Sequence, residues 1–182
     1  MIYQLADGYS VRGLRESDLE GPYLSWFEDQ EVCKYNSHGK FIKNADWFRA
    51  FYADLNREDQ VVWAICHEDD GHIGNVSLQS ISFVNRNAEY AILIGNPKHW
   101  RKSVGLNASL ALLRHGFDKL NLERVYCGTA GTNLGMQRLA VQMGMLEEGR
   151  RRKHLFLNGQ WEDMVEYGVL RDEFKGAQRS EK

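Results

Sequence analysis

The stretch that most constrains this chain runs from Ala88 to Ala108. Ala88-Glu89-Tyr90-Ala91-Ile92-Leu93-Ile94-Gly95 has the apolar and aromatic content of a strand, interrupted by one acidic residue, Glu89. Asn96-Pro97-Lys98-His99 breaks it, because Pro97 has no N–H for a ladder. Trp100-Arg101-Lys102-Ser103-Val104-Gly105-Leu106-Asn107-Ala108 then opens a helix whose first turn is small and basic. Such a strand, loop and helix leave backbone N–H groups unpaired at the helix start. Those groups, with the positive end of the helix dipole, favour an anion and most often a phosphate. One reading of the stretch is a phosphate-bearing cofactor site; the other is a surface turn with solvated Arg101 and Lys102.

At 182 residues and 43% hydrophobic content the chain can build one full-sized core but not two. One domain is expected over residues 1–174, followed by a polar tail over 175–182. A formal charge of -2 argues against a general nucleic-acid binder, whose domain would be strongly basic. Cys33, Cys66 and Cys127 are scattered and odd in number, with no CxxC or Cys/His spacing, so neither a disulfide framework nor a zinc site is expected. No run approaches the roughly 20 apolar residues of a membrane span, and the N-terminus lacks the regions of a signal peptide. These features point to the cytoplasm, with no membrane partner.

From the N-terminus, Tyr9 to Arg15 alternates as a first strand. Ser17-Asp18-Leu19-Glu20 is placed to cap a helix carrying Leu19, Tyr23, Leu24, Trp26 and Phe27. Between Asp29 and Lys40, the group Asn36, Ser37, His38 and Gly39 makes a polar loop. It is either a plain connection or a set of donors and acceptors over a polar ligand. Asn44-Ala45-Asp46 opens a second helix whose aromatic stripe, Trp47, Phe48, Phe51 and Tyr52, reads as core. Val61 to Cys66 and His72 to Leu78 are strands joined by the turn Glu68-Asp69-Asp70-Gly71; His67 and His72 flank it and are expected to be solvated rather than metal-bound. Asn85-Arg86-Asn87 turns the chain back, so three antiparallel strands deliver Glu89.

Leu106, Leu110, Leu113 and Phe117 mark an amphipathic helix ending near Leu120. Arg124 to Thr129 is a strand, and Gly131-Thr132-Asn133 starts a helix closed by Gly144. The alternating order implies that the strands beside the helix from Ser103 are parallel or splayed apart. Glu147 to Lys153 is charged, His154 to Leu157 is a strand, and Asn158-Gly159 is a hairpin turn into Trp161 to Leu170. The run Arg150-Arg151-Arg152-Lys153 either meets phosphates or protects a strand edge from aggregation.

Taken together, these residues resemble the GNAT superfamily of acyl-CoA N-acyltransferases, and within it the branch of Rim-type ribosomal-protein and amino-sugar acetyltransferases. The resemblance rests on Glu89 with Trp100 to Gly105, on Asn133 with Gly144-Met145, and on Glu148-Gly149, Arg152, Gly159, Asp163, Tyr167, Leu170 and Glu173 in order. It implies an α/β (α+β) GNAT fold: a mixed, mostly antiparallel sheet of about seven strands, splayed in the middle and flanked by about four helices. It implies acetyl-CoA as cofactor. The backbone amides of Arg101, Lys102, Ser103, Val104 and Gly105 would cradle the pyrophosphate beside Trp100, Leu93 and Ile94 would bond the pantetheine arm, and Asn133 would contact it from the other side.

The chemistry needs a neutral amine, an oxyanion donor and an acid for the thiolate. An ammonium must lose a proton to a base, and the resemblance implies Glu89, which sits where related enzymes of the superfamily carry one, as that base or else as a structural carboxylate; an N–H near Leu93 or Ile94 is the candidate oxyanion donor. Two departures from the family pattern matter. Ser103 stands where the loop has its first glycine, and Ala140 stands where many members carry an acidic Tyr. The acid is left among Tyr126, Cys127, a water, or none.

Asn36, Ser37, His38 and Asn75 suit a polyhydroxyl ligand, which makes a nucleotide-linked amino sugar of polysaccharide assembly the expected acceptor. Arg150 to Lys153 would then serve its diphosphate. Acetylation of a protein N-terminus is the alternative, with Glu28, Asp29 and Glu31 as acidic groups, and a non-catalytic acyl-CoA or nucleotide-sugar binding module is the third. The expected partners are a small-molecule amine, no nucleic acid and no membrane, in a chain that could form a homodimer.

Overall fold

The computed structural model describes residues 1–41, 43–55 and 57–175, and for His38 the backbone alone. The polar tail expected over 175–182 therefore lies outside the described residues except at Lys175. Eight strands form one sheet in the order β1-β2-β3-β4-β5-β6-β8-β7. They are β1 Ile2–Gln4, β2 Tyr9–Gly13, β3 Val61–His67, β4 Gly71–Ser82, β5 Asn87–Ile94, β6 Arg124–Ala130, β7 Leu146–Leu157 and β8 Gln160–Leu170. All neighbours are antiparallel except β5 and β6. The mixed, mostly antiparallel sheet is as expected, with one strand more than the seven anticipated: β1 is three residues long, too short to show a period.

The parallel pair positions the site. β5 and β6 are in register only at Asn87↔Arg124, Ala88↔Val125 and Glu89↔Tyr126. Beyond Glu89 they part, while β5 continues on β4 to Gly74↔Ile94 and β6 continues on β8 to Ala130↔Met164. The edge of β5 from Tyr90 to Ile94 that faces β6 is thus left without a strand partner. A register shift in β4 between Gln79 and Ser82 falls opposite Glu89, a placement common for bulges beside functional residues.

Four helices flank the sheet: α1 Tyr23–Trp26, α2 Ala45–Asp54, α3 Val104–Asp118 and α4 Leu134–Gln142. α3 buries Val104, Ala108, Leu112, Leu113 and Phe117 against the sheet in one continuous core with Val76, Leu78, Val125 and Val165. A smaller core of Tyr23, Trp26, Val32 and Phe48 lies under α1 and α2. The helix expected from Ser17 is instead a 3-10 turn over Glu16–Glu20 and the single turn α1. Gly21-Pro22 separates them, and Pro22 cannot continue the hydrogen-bonding of the preceding turn. α2 begins as expected, with Asn44 Oδ1 accepting from the Trp47 amide at 2.9 Å.

The charged run does not precede its strand but belongs to it. Arg150 to Lys153 lies within β7, the outermost strand, where two register shifts bend the edge. Charge and bulges together shield an edge from pairing with other chains. Asn158 and Gly159 both take positive φ, 51° and 80°, closing the β7–β8 hairpin. Such a turn needs residues that tolerate the left-handed region. Among the described residues no helix is long and apolar enough to cross a membrane.

Candidate active site

The gap between the diverging strands is a cleft of about 1030 Å³. One wall is β5 from Glu89 to Ile94, and the other is Gly128 and Thr129 of β6 with Asn133, Met136 and Leu139 around α4. At one end lie Trp100, Arg101, Lys102, Ser103 and Gly105, and at the other Tyr23, Phe27, Glu31, Trp47 and Phe51. The cleft therefore has a basic, helix-terminal end and an aromatic end with a carboxylate.

The basic end is built by the loop into α3. The indole N–H of Trp100 donates to the Ile94 carbonyl at 2.8 Å and ties the loop to the end of β5. Arg101 turns the chain at φ 60°, a left-handed conformation that costs a non-glycine residue about 1 kcal/mol. Ser103 is helical, with φ -64° and ψ -12°, and makes no side-chain cap. A glycine's conformational freedom is therefore not needed at Ser103. The first amides of α3 at Val104, Gly105 and Leu106 have no carbonyl within the helix to bond, and Arg101 and Lys102 stand exposed beside them. Val104 itself is buried in the core and, unlike its neighbours Ser103 and Gly105, does not line the cleft. Farther along, Ser109 Oγ bridges the Tyr90 hydroxyl and the Gly105 carbonyl, each at 2.5 Å, and so fixes α3 against β5.

Glu89 is half-buried, lines the cleft, and sits opposite Gln79 on one side and Tyr126 on the other, at the last paired position before the strands part. Asn133 also lines the cleft, while its Oδ1 caps α4 by accepting from the Met136 amide at 3.1 Å. The two residues left as candidate acids are not there. Cys127 is buried with Sγ 3.6 Å from Met145 Sδ, and burial followed by the charge of Glu89 pushes its thiol up to about 12. Tyr126 does not border the cleft either; β6 reaches it only farther along, at Gly128 and Thr129.

Of the four expected acceptor residues, Asn36 and Asn75 line the cleft. Ser37 does not: it is exposed and precedes a 3-10 turn over His38–Lys40. The His38 side chain lies outside the described residues. Asn75 is held from behind. His72 Nε2 lies 2.8 Å from Asn75 Oδ1 and 3.0 Å from the Gly74 carbonyl, so it is the protonated nitrogen, donating to both. His72 is only 8% exposed, which corrects the expectation of a solvated side chain: it points under α1, against the rings of Tyr23 and Trp26. Its Nδ1 is buried without a hydrogen bond, 3.9 Å from Asp18 Oδ1. Burial raises the pKa of the Asp18 carboxyl, but three 2.7 Å bonds, two from the Arg12 guanidinium and one from the Arg15 amide, outweigh it and hold that group below its ordinary value.

Sequence reasoning missed the aromatic end. Trp47 and Phe51, read as core, line the cleft, and Trp47 is 42% exposed. The Lys43 ammonium lies 3.8 Å from the centre of the Trp47 ring and 5.2 Å from that of Phe27, which shows that this surface accepts a cation over its π-faces. The available signal was amphipathicity: Trp47 and Phe51 are one turn apart on a helix whose buried residue is Phe48.

Comparison with known proteins agrees with this geometry. Residues 10–146 match the acetyltransferase (GNAT) domain family. YdaF of Bacillus subtilis strain 168, named provisionally as a ribosomal N-acetyltransferase, is 34% identical over 131 residues, 72% of this chain and 68% of that protein. The spermidine N(1)-acetyltransferase of Vibrio cholerae serotype O1 is 30% identical over 156 residues, 86% of this chain and 79% of that protein. A crystal structure of spermidine N-acetyltransferase from Vibrio cholerae with CoA and spermine superposes with a TM-score of 0.83 at 23% identity, over 91% of this chain and 97% of that one. A sheet split at β5 and β6, an uncapped helix at the end of the split and the match over 10–146 have one common account: this chain belongs to the GNAT acetyltransferases, enzymes that take their acetyl group from acetyl-CoA.

Proposed function

We propose that this N-acetyltransferase acts on the primary amine of a flexible, cationic small molecule of the polyamine class. The observation that carries the reading is the acceptor end of the cleft: Tyr23, Phe27, Trp47 and Phe51 form its walls, Glu31, 3.7 Å from Lys34, is its carboxylate, and Glu89 stands on the adjoining β5 wall. An alkyl chain with ammonium groups buries its methylenes on such walls and its charges against π-faces and carboxylates. A nucleotide-linked amino sugar, expected from the sequence, asks for more than this end offers. The run Arg150 to Lys153, assigned to its diphosphate, lies on β7 and borders no part of the cleft. The similar spermidine acetyltransferase supports the same choice.

The residues at hand fit acetyl-CoA as donor. The uncapped amides at the start of α3, with Arg101 and Lys102, would hold its pyrophosphate, and the unpaired edge of β5 at Leu93 and Ile94 its pantetheine arm. Once bound, it supplies an acetyl group already activated as a thioester. Glu89 would accept the proton that the acceptor ammonium must lose, directly or through a water. An N–H on the open edge of β5 would donate to the carbonyl oxygen as charge builds on it. Asn75, fixed by His72, would orient the acceptor.

A second reading, acetylation of a peptide N-terminus, is favoured by the similarity to YdaF. Of the acidic residues considered for it, Glu31 lines the cleft and Glu28 and Asp29 do not. Thiol release from acetyl-CoA separates the possibilities, measured with spermidine, spermine and putrescine, with peptides bearing free N-termini, and with nucleotide-linked amino sugars. Turnover confined to the polyamines is the expected result. Turnover confined to peptides would move the assignment to the second reading, and turnover confined to sugars would restore the one drawn from the sequence.

A further inference from the structure

Beside the basic end of the cleft, which His99 lines, three donors from separate segments converge: His67 at the end of β3, Asp70 in the β3–β4 turn, and His99 in the 3-10 turn that leads into Trp100. One ligand atom from each lies within 4.8 Å of the others. Asp70 Oδ2 is the shared atom, 3.0 Å from His99 Nε2 and 3.9 Å from His67 Nδ1. We propose that His67, Asp70 and His99 form a binding site for a transition-metal dication of the zinc class, which clamps the β3–β4 turn to the segment preceding the cofactor loop.

The chemistry of the donors selects the ion. Two imidazoles and one carboxylate suit Zn²⁺ and its neighbours Co²⁺ and Ni²⁺, whereas Mg²⁺ and Ca²⁺ call for oxygen ligands. Three protein ligands leave a tetrahedral ion one open position. Each imidazole has a lone pair to offer. His67 Nδ1 faces the Asp69 amide N–H at 3.3 Å, so it is the unprotonated nitrogen. His99 is buried, and its second nitrogen, Nδ1, lies 2.9 Å from the hydroxyl of buried Tyr9. Without a metal, His99 Nε2–H donates to Asp70 and Nδ1 accepts from the Tyr9 O–H. With a metal on Nε2, the proton sits on Nδ1 and is donated to the Tyr9 oxygen. A hydroxyl serves in either direction, so the metal enters by a tautomer change in which no proton is released. A fixed partner on the far nitrogen of this kind orients a ligating histidine.

The surrounding charges permit this. Lys98 approaches Asp70 through the other oxygen, Oδ1, at 3.9 Å, and its side chain is 77% exposed, free to swing into solvent. Asp69 lies 4.0 Å from His67 and adds negative charge. The three donors sit at positions 67, 70 and 99, a spacing no metal motif of sequence would report.

The test uses the chelator-treated, full-length protein, titrated with Zn²⁺ by calorimetry and with Co²⁺ by visible absorption. The expected result is one Zn²⁺ per chain, a Co²⁺ spectrum of tetrahedral intensity, and a higher melting temperature with Zn²⁺. His67→Gln and Asp70→Asn change side chains that are 17% and 32% exposed and should remove all three signals while acetyl-CoA binding and the far-ultraviolet circular dichroism stay as in the parent. Tyr9→Phe, which alters only the partner of His99, should weaken Zn²⁺ by about tenfold. Absence of uptake by the parent protein would overturn the proposal, and so would uptake unchanged in both His67→Gln and Asp70→Asn.

Discussion

Glu89 and His72 are the residues whose chemistry depends most on their surroundings. Glu89 stands at the last paired position of β5, beside the start of the gap. If it removes the acceptor's proton, Glu89→Gln should lower kcat about tenfold or more with little change in the Kd of acetyl-CoA. Unchanged kcat would leave Glu89 a structural carboxylate. His72 makes a prediction about pH. Burial, the largest influence, holds its pKa below the ordinary 6.5, although Asn75 and Asp18 oppose that shift. Below that value the unfolded chain takes up a proton that folded His72 refuses, so acid favours unfolding. The penalty is absent above 6.5 and grows as pH falls toward the folded value. His99 and His115 are shifted the same way, again chiefly by burial. Denaturant midpoints should therefore fall from about pH 7 to pH 5, and less steeply in His72→Gln, which keeps a donor for Asn75. An identical slope in the variant would assign the effect to the other two histidines.

At the scale of elements, the cleft depends on how closely α1 packs under the end of β5. Gly95 follows β5 directly, and a Cβ there would overlap the Trp26 indole. Trp26 in turn packs edge-on against His72, with ring centres 4.9 Å apart. Gly95→Ala should cost about 1–3 kcal/mol by overpacking and lower the melting temperature by about 2–4 °C per kcal/mol. Because the displaced indole borders His72 and hence Asn75, KM for the acceptor should rise more than KM for acetyl-CoA. Equal changes in both would mean that the strain spreads through β5 rather than into the acceptor end. Much at this scale was legible in the sequence. Asn44 and Asn133 were read as helix starts and cap α2 and α4, and Asn158-Gly159 was read as a hairpin and is one. Each is a contact between residues two or three apart. The first helix was misread because Leu19, Tyr23, Trp26 and Phe27 keep helical spacing across Gly21-Pro22, and spacing alone does not register a chain break.

For the whole molecule, the split sheet makes stability and ligand binding one problem. Beyond Glu89 the two halves, β1 to β5 and β6 to β8, are joined among the described residues by α3 and α4 packing and by hydrogen bonds from Lys40 to the Phe156 carbonyl and from Asn158 to the Lys34 carbonyl, and by no ladder. A ligand that fills the gap binds only the folded chain. Acetyl-CoA at about 100 times its Kd should add about 2.7 kcal/mol, a rise of about 5–10 °C in melting temperature for a chain this size. Thermal denaturation with and without acetyl-CoA measures it. Two separate transitions that merge when the ligand is added would show that the halves melt independently; a single transition moving upward is the expected outcome.

The sequence by itself determined the elements that local chemistry writes: alternating strands, amphipathic α3, the turns, and the basic start of α3 behind an acidic strand. It also carried the family, because the motifs at Glu89, Trp100 to Gly105 and Asn133 follow one another in the family's order along the chain. Only the tertiary structure decided which side chains share a space. Trp47 and Phe51 became walls rather than core because α2 lies at the mouth of the gap. His72 became a buried support for Asn75 because Arg12 and Asp18 meet it from another strand and turn. Arg150 to Lys153 came to lie on a sheet edge away from the cleft because β7 is the outermost strand. Propensity and periodicity act within a few residues along the chain, whereas burial, charge pairing and cleft shape are set by residues that the sheet order brings together from far apart.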